Sequence, residues 1–223
     1  MTKQPIEAVL FDLDGTLVHS EAVAARTVDF VFAKYGAVLD PSHALAVTGK
    51  TWSAAMDELE RLAGLPAARD VLLQEILEEY RLRLRTEVHP VPGSENAVAQ
   101  LAGRYRLALV SGSYREEILF ALNMLRIVHH FDPILGAEDY LNSKPAPDGY
   151  LKALRLLGVD PARAVVFEDS EPGIRSALAA GCRVVAVRYC GSLDSRSPWL
   201  SRAHAVVDTL ENVHPAWMES ALS

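Results

Sequence analysis

Five short apolar runs constrain the fold of this chain more than any other feature of its sequence. Each run is three or four residues long and contains only apolar residues: Ala8–Phe11, 107–110, 164–167, 184–187 and Ala205–Val207. Strands that are apolar on both faces are typical of parallel sheets that helices cover on both sides. The runs therefore predict an α/β fold with a parallel sheet at its centre.

Helical periodicity between the runs indicates how the strands are connected. Apolar residues recur at positions i, i+4 and i+7 between residues 118 and 125, and again between residues 150 and 157. A further helix is predicted over residues 95–101, with Ser94 as its N-cap. Strands that alternate with helices through short connections predict a doubly wound, Rossmann-like parallel sheet.

One long segment interrupts this alternation. From about residue 18 to residue 87 the sequence contains helical stripes, such as the one through Met56 and Leu59, and no pattern typical of a strand. We therefore predict two domains. Residues 1–17 and 91–223 form an α/β core, and residues 18–90 form a small inserted helical domain, the helical insert. Its hinges are predicted near residues 17–20 and 90–93.

The acidic composition limits the partners for which this chain is suited. The 223 residues include 22 lysines and arginines and 29 aspartates and glutamates, which gives a net charge of −7. This balance argues against nucleic acid or an anionic membrane as the main partner. An acidic protein can still bind a phosphorylated ligand, provided that positive charge is concentrated at the binding site.

Other bulk features are typical of a cytoplasmic protein. No apolar run approaches the roughly 18 residues of a membrane span, and Asp12 cuts short the only apolar run near the N-terminus that a signal peptide would need. Cys182 and Cys190 have no metal-binding or C-x-x-C spacing, so we interpret them as small buried thiols. A disulfide between them remains compatible with the sequence. We expect a monomer or a weak dimer in the cytoplasm.

Two carboxylates follow the first apolar run, in the segment F-D-L-D-G-T-L from Phe11 to Leu17. Ligands of open parallel sheets bind at the carboxyl ends of the strands, and Asp12 and Asp14 are predicted to lie there. Such acids can hold a hard divalent cation through their oxygens. One of them can also attack phosphorus while the other transfers protons. The simpler interpretation is a turn with two solvated acids.

Three further groups of polar residues follow along the chain. Two of them end a predicted strand: Ser111 with Gly112 and Ser113, and Glu168 with Asp169. The third is Lys144, in the proline-framed loop S-K-P-A-P-D. A hydroxyl and backbone N–H groups can bind a phosphoryl oxygen, and a lysine framed by prolines is a positioned charge. The second acidic pair precedes a helix that is predicted to begin near Pro172. Individually these groups also fit a turn, a surface lysine and helix-capping acids.

In order and spacing, the four elements resemble the four motifs of the haloacid-dehalogenase superfamily. The resemblance extends over essentially the whole chain. The helical insert resembles the cap of the first subclass, which includes phosphoglycolate phosphatase, small sugar phosphatases and β-phosphoglucomutase. The resemblance implies a magnesium-dependent phosphatase that hydrolyses a small phosphorylated metabolite through an aspartyl-phosphate.

The resemblance also implies a role for each motif residue. Asp12 would be the nucleophile, and Asp14 would protonate the leaving oxygen and later activate water. Ser111 would bind the phosphoryl group, and Lys144 would neutralise Asp12 and the transferring oxygens.

The metal and the substrate would be bound by neighbouring groups. Mg²⁺ would be held by Asp12, by the backbone carbonyl of Asp14 and by Asp169, with Glu168 acting directly or through water. Further substrate contacts are expected from Gly112, Ser113, Glu21 and Lys50. The role of His19, at a position where relatives commonly have Asp, is left open.

Three alternatives are weighed against this interpretation. β-Phosphoglucomutase is the main rival, but its pattern has a histidine where this chain has Ala24 and an arginine where this chain has Trp52. Dehalogenases resemble D-x-Y at the first motif, whereas the third position here is Asp14. A non-catalytic binding module on the same fold would require the loss of the nucleophile or the lysine, and both are present.

Overall fold

The computed structural model describes residues 4–43, 50–190, 193 and 197–222. Its strands are β1 Ala8–Phe11, β2 Val18–His19, β3 His89–Pro90, β4 Arg106–Val110, β5 Ile134–Leu135, β6 Ala164–Glu168, β7 Arg183–Val187 and β8 Ala205–Val207. Six of them form a parallel sheet with the order β5-β4-β1-β6-β7-β8. The five apolar runs are thus confirmed as strands, and the doubly wound α/β fold is confirmed.

Eight helices are present in the described residues: α1 Glu21–Lys34, α2 Trp52–Ala63, α3 Arg69–Glu87, α4 Ser94–Ala102, α5 Arg115–Met124, α6 Asp148–Leu157, α7 Glu171–Ala179 and α8 Pro215–Ala221. Buried side chains of α4, α5 and α8 pack on one face of the sheet, and those of α6 and α7 pack on the other. None of the helices in the described part of the chain combines the length and the apolar surface that crossing a bilayer requires.

The central strand shows why these runs are apolar throughout. Val9 and Phe11 of β1 belong to the hydrophobic cluster on one face of the sheet, and Ala8 and Leu10 belong to the cluster on the other. Successive side chains of a strand point to opposite faces, so a strand with helices on both sides has no position for a solvated residue. The Phe11 ring stacks on that of Phe167, with 4.9 Å between ring centroids. Burying one such side chain contributes roughly 2–3 kcal/mol.

The edge strand β5 was not predicted from the sequence. It is only two residues long and pairs with the end of β4 through Ile134 and Leu135. A segment this short carries no periodicity, because a pattern of alternation needs at least four residues to be recognised.

Ser94 is not the N-cap of α4, so that prediction was wrong. Gly93 occupies the cap position with a left-handed φ of 85°, and Ser94 is the first residue of the helix. A Cβ atom on Gly93 would lie 2.3 Å from the backbone nitrogen of Glu211. Because this packing leaves no room for a side chain, glycine takes the position that a serine would otherwise fill.

The described residues between 18 and 90, which leave out 44–49, contain three α-helices, with a two-stranded ribbon at their ends. Strand β2 pairs antiparallel with β3, so the prediction that no strand occurs from about residue 18 to residue 87 was wrong at the first two residues of that range. The ribbon places the two chain crossings between core and insert side by side. The division of the chain into core and helical insert at residues 17/18 and 90/91 stays a prediction.

The sheet topology decides which residues can meet. Strand β1 lies between β4 and β6, with Phe11 opposite both Leu109 and Phe167. The strands are parallel, so the residues that follow them emerge at the same edge of the sheet. Three of the four polar elements seen in the sequence therefore converge beyond β1, β4 and β6.

Candidate active site

Seven polar side chains come together at this edge of the sheet: Asp12, Asp14, Ser111, Ser113, Lys144, Glu168 and Asp169. All except Asp14, which is half-buried, are at most 8% exposed. Buried charged groups are rare unless they are paired or bind a ligand. Such a concentration therefore needs a specific set of partners for each group.

The turn after β1 lies directly against Asp169, the acid that follows β6. Gly15 has a φ of 85°, and a Cβ atom there would lie only 2.0 Å from Oδ2 of Asp169. The Gly15 N–H donates to the carbonyl of Val18 at 2.7 Å, which closes the turn. Glycine is therefore required at this position both by the backbone conformation and by the approach of the Asp169 carboxylate.

Lys144 lies between two carboxylates in the interior of the site. Its Nζ atom is 2.5 Å from Oδ1 of Asp12 and 2.5 Å from Oε1 of Glu168, and its side chain is 4% exposed. Burial by itself would lower the pKa of Lys144, but the two carboxylates outweigh it and hold the pKa well above its usual value. Lys144 is consequently a fixed positive charge beside Asp12.

Asp12 is subject to opposing effects. Burial, the largest effect, raises the pKa of its carboxyl group, Lys144 acts to lower it, and the charges of Glu168 and Asp14 raise it again, so that the pKa lies well above its usual value when no metal ion is bound. Further positive charge close to Asp12 would therefore favour the ionised form. A metal cation bound between Asp12 and Asp169 would supply such a charge.

The Glu168 carboxylate accepts five hydrogen bonds, which involve both of its oxygens. Its Oε1 atom accepts hydrogen bonds from Lys144 and from the Tyr150 hydroxyl, the latter at 3.0 Å. Its Oε2 atom accepts from the backbone N–H of Asp169, the N–H of Ser170 and the Ser170 hydroxyl, each at 3.0 Å. These partners orient Glu168 toward Lys144.

Asp14, two residues from Asp12, has partners of a different kind. Its Oδ2 atom accepts from the hydroxyls of Ser111 at 3.0 Å and Ser113 at 2.8 Å. Its Oδ1 atom accepts from Ser20 and faces the Tyr80 hydroxyl at 3.4 Å. A hydroxyl can donate to a carboxylate or accept from a protonated carboxyl group. This environment therefore suits both protonation states of Asp14.

Three of the acids fit a divalent metal ion. Asp12, Glu168 and Asp169 each offer a carboxylate oxygen, and these atoms lie within 4.8 Å of one another. When all three carboxylates are ionised, the single positive charge of Lys144 leaves two negative charges, which would match a divalent cation. Ligands that are all oxygen favour Mg²⁺ or a similar hard ion over zinc. The Asp14 side chain, which is turned toward the serines, does not belong to this group.

The substrate-contact residues expected from the sequence are less uniformly placed. The backbone of Lys50 approaches Gly112 so closely that a Cβ atom on Gly112 would lie 2.7 Å from the Lys50 carbonyl oxygen. The ammonium group of Lys50 contributes, after the hydrogen bond from Arg61, to a lowered pKa of Glu58. Glu21 begins helix α1, but its side chain lies outside the described part of the structure.

Several residues of the site were missed as functional candidates in the sequence. They are Ser20, Tyr80, Tyr150 and Ser170. Tyr80 and Tyr150 are members of apolar helical stripes, and nothing in that pattern distinguishes a tyrosine with a polar contact from one that only packs. Their partners are 66 and 18 residues away in the chain, so only the fold brings them together.

The remaining residues singled out in the sequence lie apart from these contacts. The ring of His19 packs edge-on against that of Tyr189, with 5.9 Å between centroids. Cys182 and Cys190 are both thiols, and burial raises the pKa of Cys182 to about 12. A thiol with so high a pKa is a packing residue and not a nucleophile.

Comparison with known protein families supports one assignment. The family described as haloacid dehalogenase-like hydrolase matches residues 9–187 of this chain. The match begins within β1 and ends at the last residue of β7. It therefore includes all of the polar elements described above.

Individual relatives are similar over most of their length. Fructose-1-phosphate phosphatase YqaB of Escherichia coli K12 is 33% identical over 81% of this chain and 95% of its own length. A phosphorylated carbohydrates phosphatase of Thermotoga maritima is 32% identical over 79% of this chain and 82% of its own. The crystal structure of a putative β-phosphoglucomutase from the same organism is 27% identical and superposes with a TM-score of 0.73, covering 96% of this chain and 99% of the other.

The pairing of Lys144 leads to a prediction about stability. Lys144→Met should lower the free energy of unfolding by about 3–5 kcal/mol, because it leaves the carboxylates of Asp12 and Glu168 buried without their cation. Urea unfolding, followed by circular dichroism in metal-free buffer, measures this change. The control is Lys34→Met, which removes an exposed pair with Glu75 and should have a much smaller effect. Equal effects of the two substitutions would contradict the prediction.

Proposed function

This chain belongs to the haloacid dehalogenase-like hydrolases, and we propose that it hydrolyses small sugar-type phosphate esters through an aspartyl-phosphate formed on Asp12. That it is a phosphatase follows from the family and from its phosphatase relatives, whose substrates include phosphorylated sugars. The intermediate, the metal and the role of each residue form the proposal.

The observation that carries the proposal is the contrast between the partners of two neighbouring acids. Asp12 lies 2.5 Å from the ammonium group of Lys144, and a nucleophilic carboxylate must remain ionised. Asp14 is surrounded by hydroxyls, and a group that both donates and removes protons needs surroundings that accept either form. Phosphoryl transfer depends mainly on such positioning and on charge stabilisation.

The first half of the reaction forms the intermediate. A carboxylate oxygen of Asp12 attacks phosphorus, and the bond from phosphorus to the ester oxygen breaks. Protonated Asp14 gives its proton to the departing oxygen, which leaves as an alcohol. Lys144 compensates the negative charge of the Asp12 carboxylate before attack and that of the phosphoryl oxygens during transfer, while the Ser111 hydroxyl donates to one of these oxygens.

The second half returns the enzyme to its starting state. Asp14, now a carboxylate, takes a proton from a water molecule as the water oxygen attacks phosphorus. The bond from phosphorus to Asp12 breaks, which releases inorganic phosphate and restores the Asp12 carboxylate. The protonated Asp14 is then ready for the next substrate.

A magnesium ion fits this site. Asp12, Asp169 and the backbone carbonyl of Asp14 would hold it, and Glu168 would act directly or through a water molecule. When bound, the ion supplies charge stabilisation for the phosphoryl oxygens, which an acidic protein otherwise lacks.

The nucleophile can be tested by removing its charge without changing its shape. Asp12→Asn should reduce turnover at least about 1,000-fold, because an amide does not form an acyl phosphate. Single-turnover hydrolysis in ¹⁸O-water should place the label in the released phosphate and leave the Asp12 carboxylate of the wild-type protein unlabelled, because water attacks phosphorus; mass spectrometry of the phosphate and of the peptides measures both. Asp29→Asn, on the exposed side of α1, is the matched control and should keep full activity. Near-native turnover by Asp12→Asn would refute the mechanism.

The metal can be tested by chelation and by one glycine. Exhaustive treatment with EDTA should abolish activity, Mg²⁺ should restore it, and Ca²⁺ should inhibit because of its different coordination. Gly15→Ala should weaken Mn²⁺ binding, measured by electron paramagnetic resonance, about 10- to 100-fold, because its Cβ would displace Asp169. Gly36→Ala also has a positive φ but no atom within 4 Å of its Cβ, so it should bind Mn²⁺ normally. Full activity after chelation would exclude a metal-dependent reaction.

Phosphatase and mutase differ in what attacks the aspartyl-phosphate. A mutase must grip a second phosphate and a hexose while it excludes water, and Ala24 and Trp52 offer no charged donors for that task. We therefore expect release of inorganic phosphate from β-glucose 1-phosphate or related esters, and no glucose 6-phosphate. The assay contains Mg²⁺ and a trace of the 1,6-bisphosphate and is coupled to glucose-6-phosphate dehydrogenase. NADPH formation faster than phosphate release would identify a mutase.

A further inference from the structure

We propose that Tyr80, on helix α3 of the helical insert, is a positioning residue that holds Asp14 in the orientation needed to protonate the leaving group. This inference rests on the proposed function, because it assigns Tyr80 a role in the proton transfer that Asp14 performs. It connects the helical insert to the chemistry of the core through one hydroxyl group.

Tyr80 is a buried residue whose hydroxyl group faces the active site. It is 2% exposed, and its ring packs edge-on against that of Trp52, with 5.0 Å between centroids. The hydroxyl group points away from this contact, toward Oδ1 of Asp14 at 3.4 Å and toward Ser20. A buried tyrosine hydroxyl normally has a hydrogen-bond partner, and here that partner is the acid that transfers protons.

The Tyr80 hydroxyl remains protonated in this position. Burial raises the pKa of Tyr80 well above its usual value, and the nearby charge of Asp14 adds to the effect. The distance of 3.4 Å is long for an O–H···O bond, and such contacts commonly shorten when substrate fills a site.

Helix α3 is fastened to the core immediately beside Tyr80. Arg81 donates from Nε to Oε1 of Glu117 at 2.8 Å and forms a second ion pair with Glu116 at 3.0 Å. Glu117 belongs to helix α5 of the core, and its side chain is 1% exposed. An ion pair with a buried partner fixes position more strictly than a solvated one. It therefore fixes the distance from α3 to the site.

The two oxygens of Asp14 are controlled from different parts of the protein. Ser111 and Ser113, in the loop after β4, hold Oδ2. Ser20, at the hinge, and Tyr80, on α3, lie at Oδ1. Without the Tyr80 hydroxyl, Oδ1 keeps only the contact with Ser20, and the carboxyl group gains freedom to rotate. A proton donor that is misplaced by a fraction of an ångström loses much of its effect.

Leaving groups that differ in their need for a proton make the proposal testable. Benzyl phosphate releases an alkoxide that must be protonated, whereas p-nitrophenyl phosphate releases a stable phenolate. Both esters are small and monocyclic. Neither aromatic group carries a hydroxyl that could bond directly to the Tyr80 hydroxyl. The ratio of their kcat/KM values reports the first half of the reaction alone.

We expect Tyr80→Phe to lower the ratio of kcat/KM for benzyl phosphate over p-nitrophenyl phosphate about 10-fold, a part of the roughly 100- to 10,000-fold that general acid catalysis contributes. Tyr35→Phe is the matched control. It removes another tyrosine hydroxyl of the helical insert that donates to a carboxylate, that of Glu75 at 2.5 Å, far from Asp14 in the network of contacts. That substitution should leave the ratio unchanged. Phenylalanine preserves the contact with Trp52, and circular dichroism verifies the fold.

A second variant approaches the same point without touching the hydroxyl group. Arg81→Gln keeps Tyr80 and loosens α3 from α5, so it should lower the same ratio by a smaller factor. Equal losses on both substrates, or an unchanged ratio in Tyr80→Phe, would overturn the positioning role. A wild-type protein that hydrolyses neither these two esters nor small sugar phosphates in Mg²⁺ would instead refute the proposed function.

Discussion

The contact on which the site depends is the buried ammonium group of Lys144 between Asp12 and Glu168. Two parallel strands, β1 and β6, deliver acids to one edge of the sheet, and burial of several like charges is strongly unfavourable. One lysine, held by its loop at 2.5 Å from both carboxylates, offsets much of that cost. Removal of either partner leaves an uncompensated charge, so lysine and acids must be retained together.

The same contact separates the roles of the two acids after β1. Asp12 faces the cation, while Asp14 faces hydroxyl groups from the core loop, the hinge and helix α3. Side chains of successive positions diverge from a turn, so a spacing of two residues can lead to two different environments. In the proposed mechanism, this divergence is what allows one short segment to supply both a nucleophile and a proton-transfer group.

Predictions from the sequence succeeded where a pattern was long or chemically distinctive. Four of the five apolar runs are buried along their whole length, and burial on both faces favours a strand for such residues; in the edge strand β8, Val206 is exposed. The edge strand β5 and the ribbon of β2 and β3 were missed, since two residues carry no period. The N-cap of α4 was misassigned because close packing against residues 210–211 admits only glycine at Gly93. That contact joins segments more than 100 residues apart and is not encoded locally.

The sequence by itself determined the fold class, the family, and the residue types and order of the four polar elements. Periodicity and motif spacing are local properties, and each can be seen within a few residues of chain. Only the tertiary structure decided which groups touch: the saturation of Glu168 by Tyr150 and Ser170, the hydroxyl surroundings of Asp14, and the approach of Tyr80 from the helical insert. These contacts join distant segments, and the partners of a buried polar group are set by the packing of helices on the sheet.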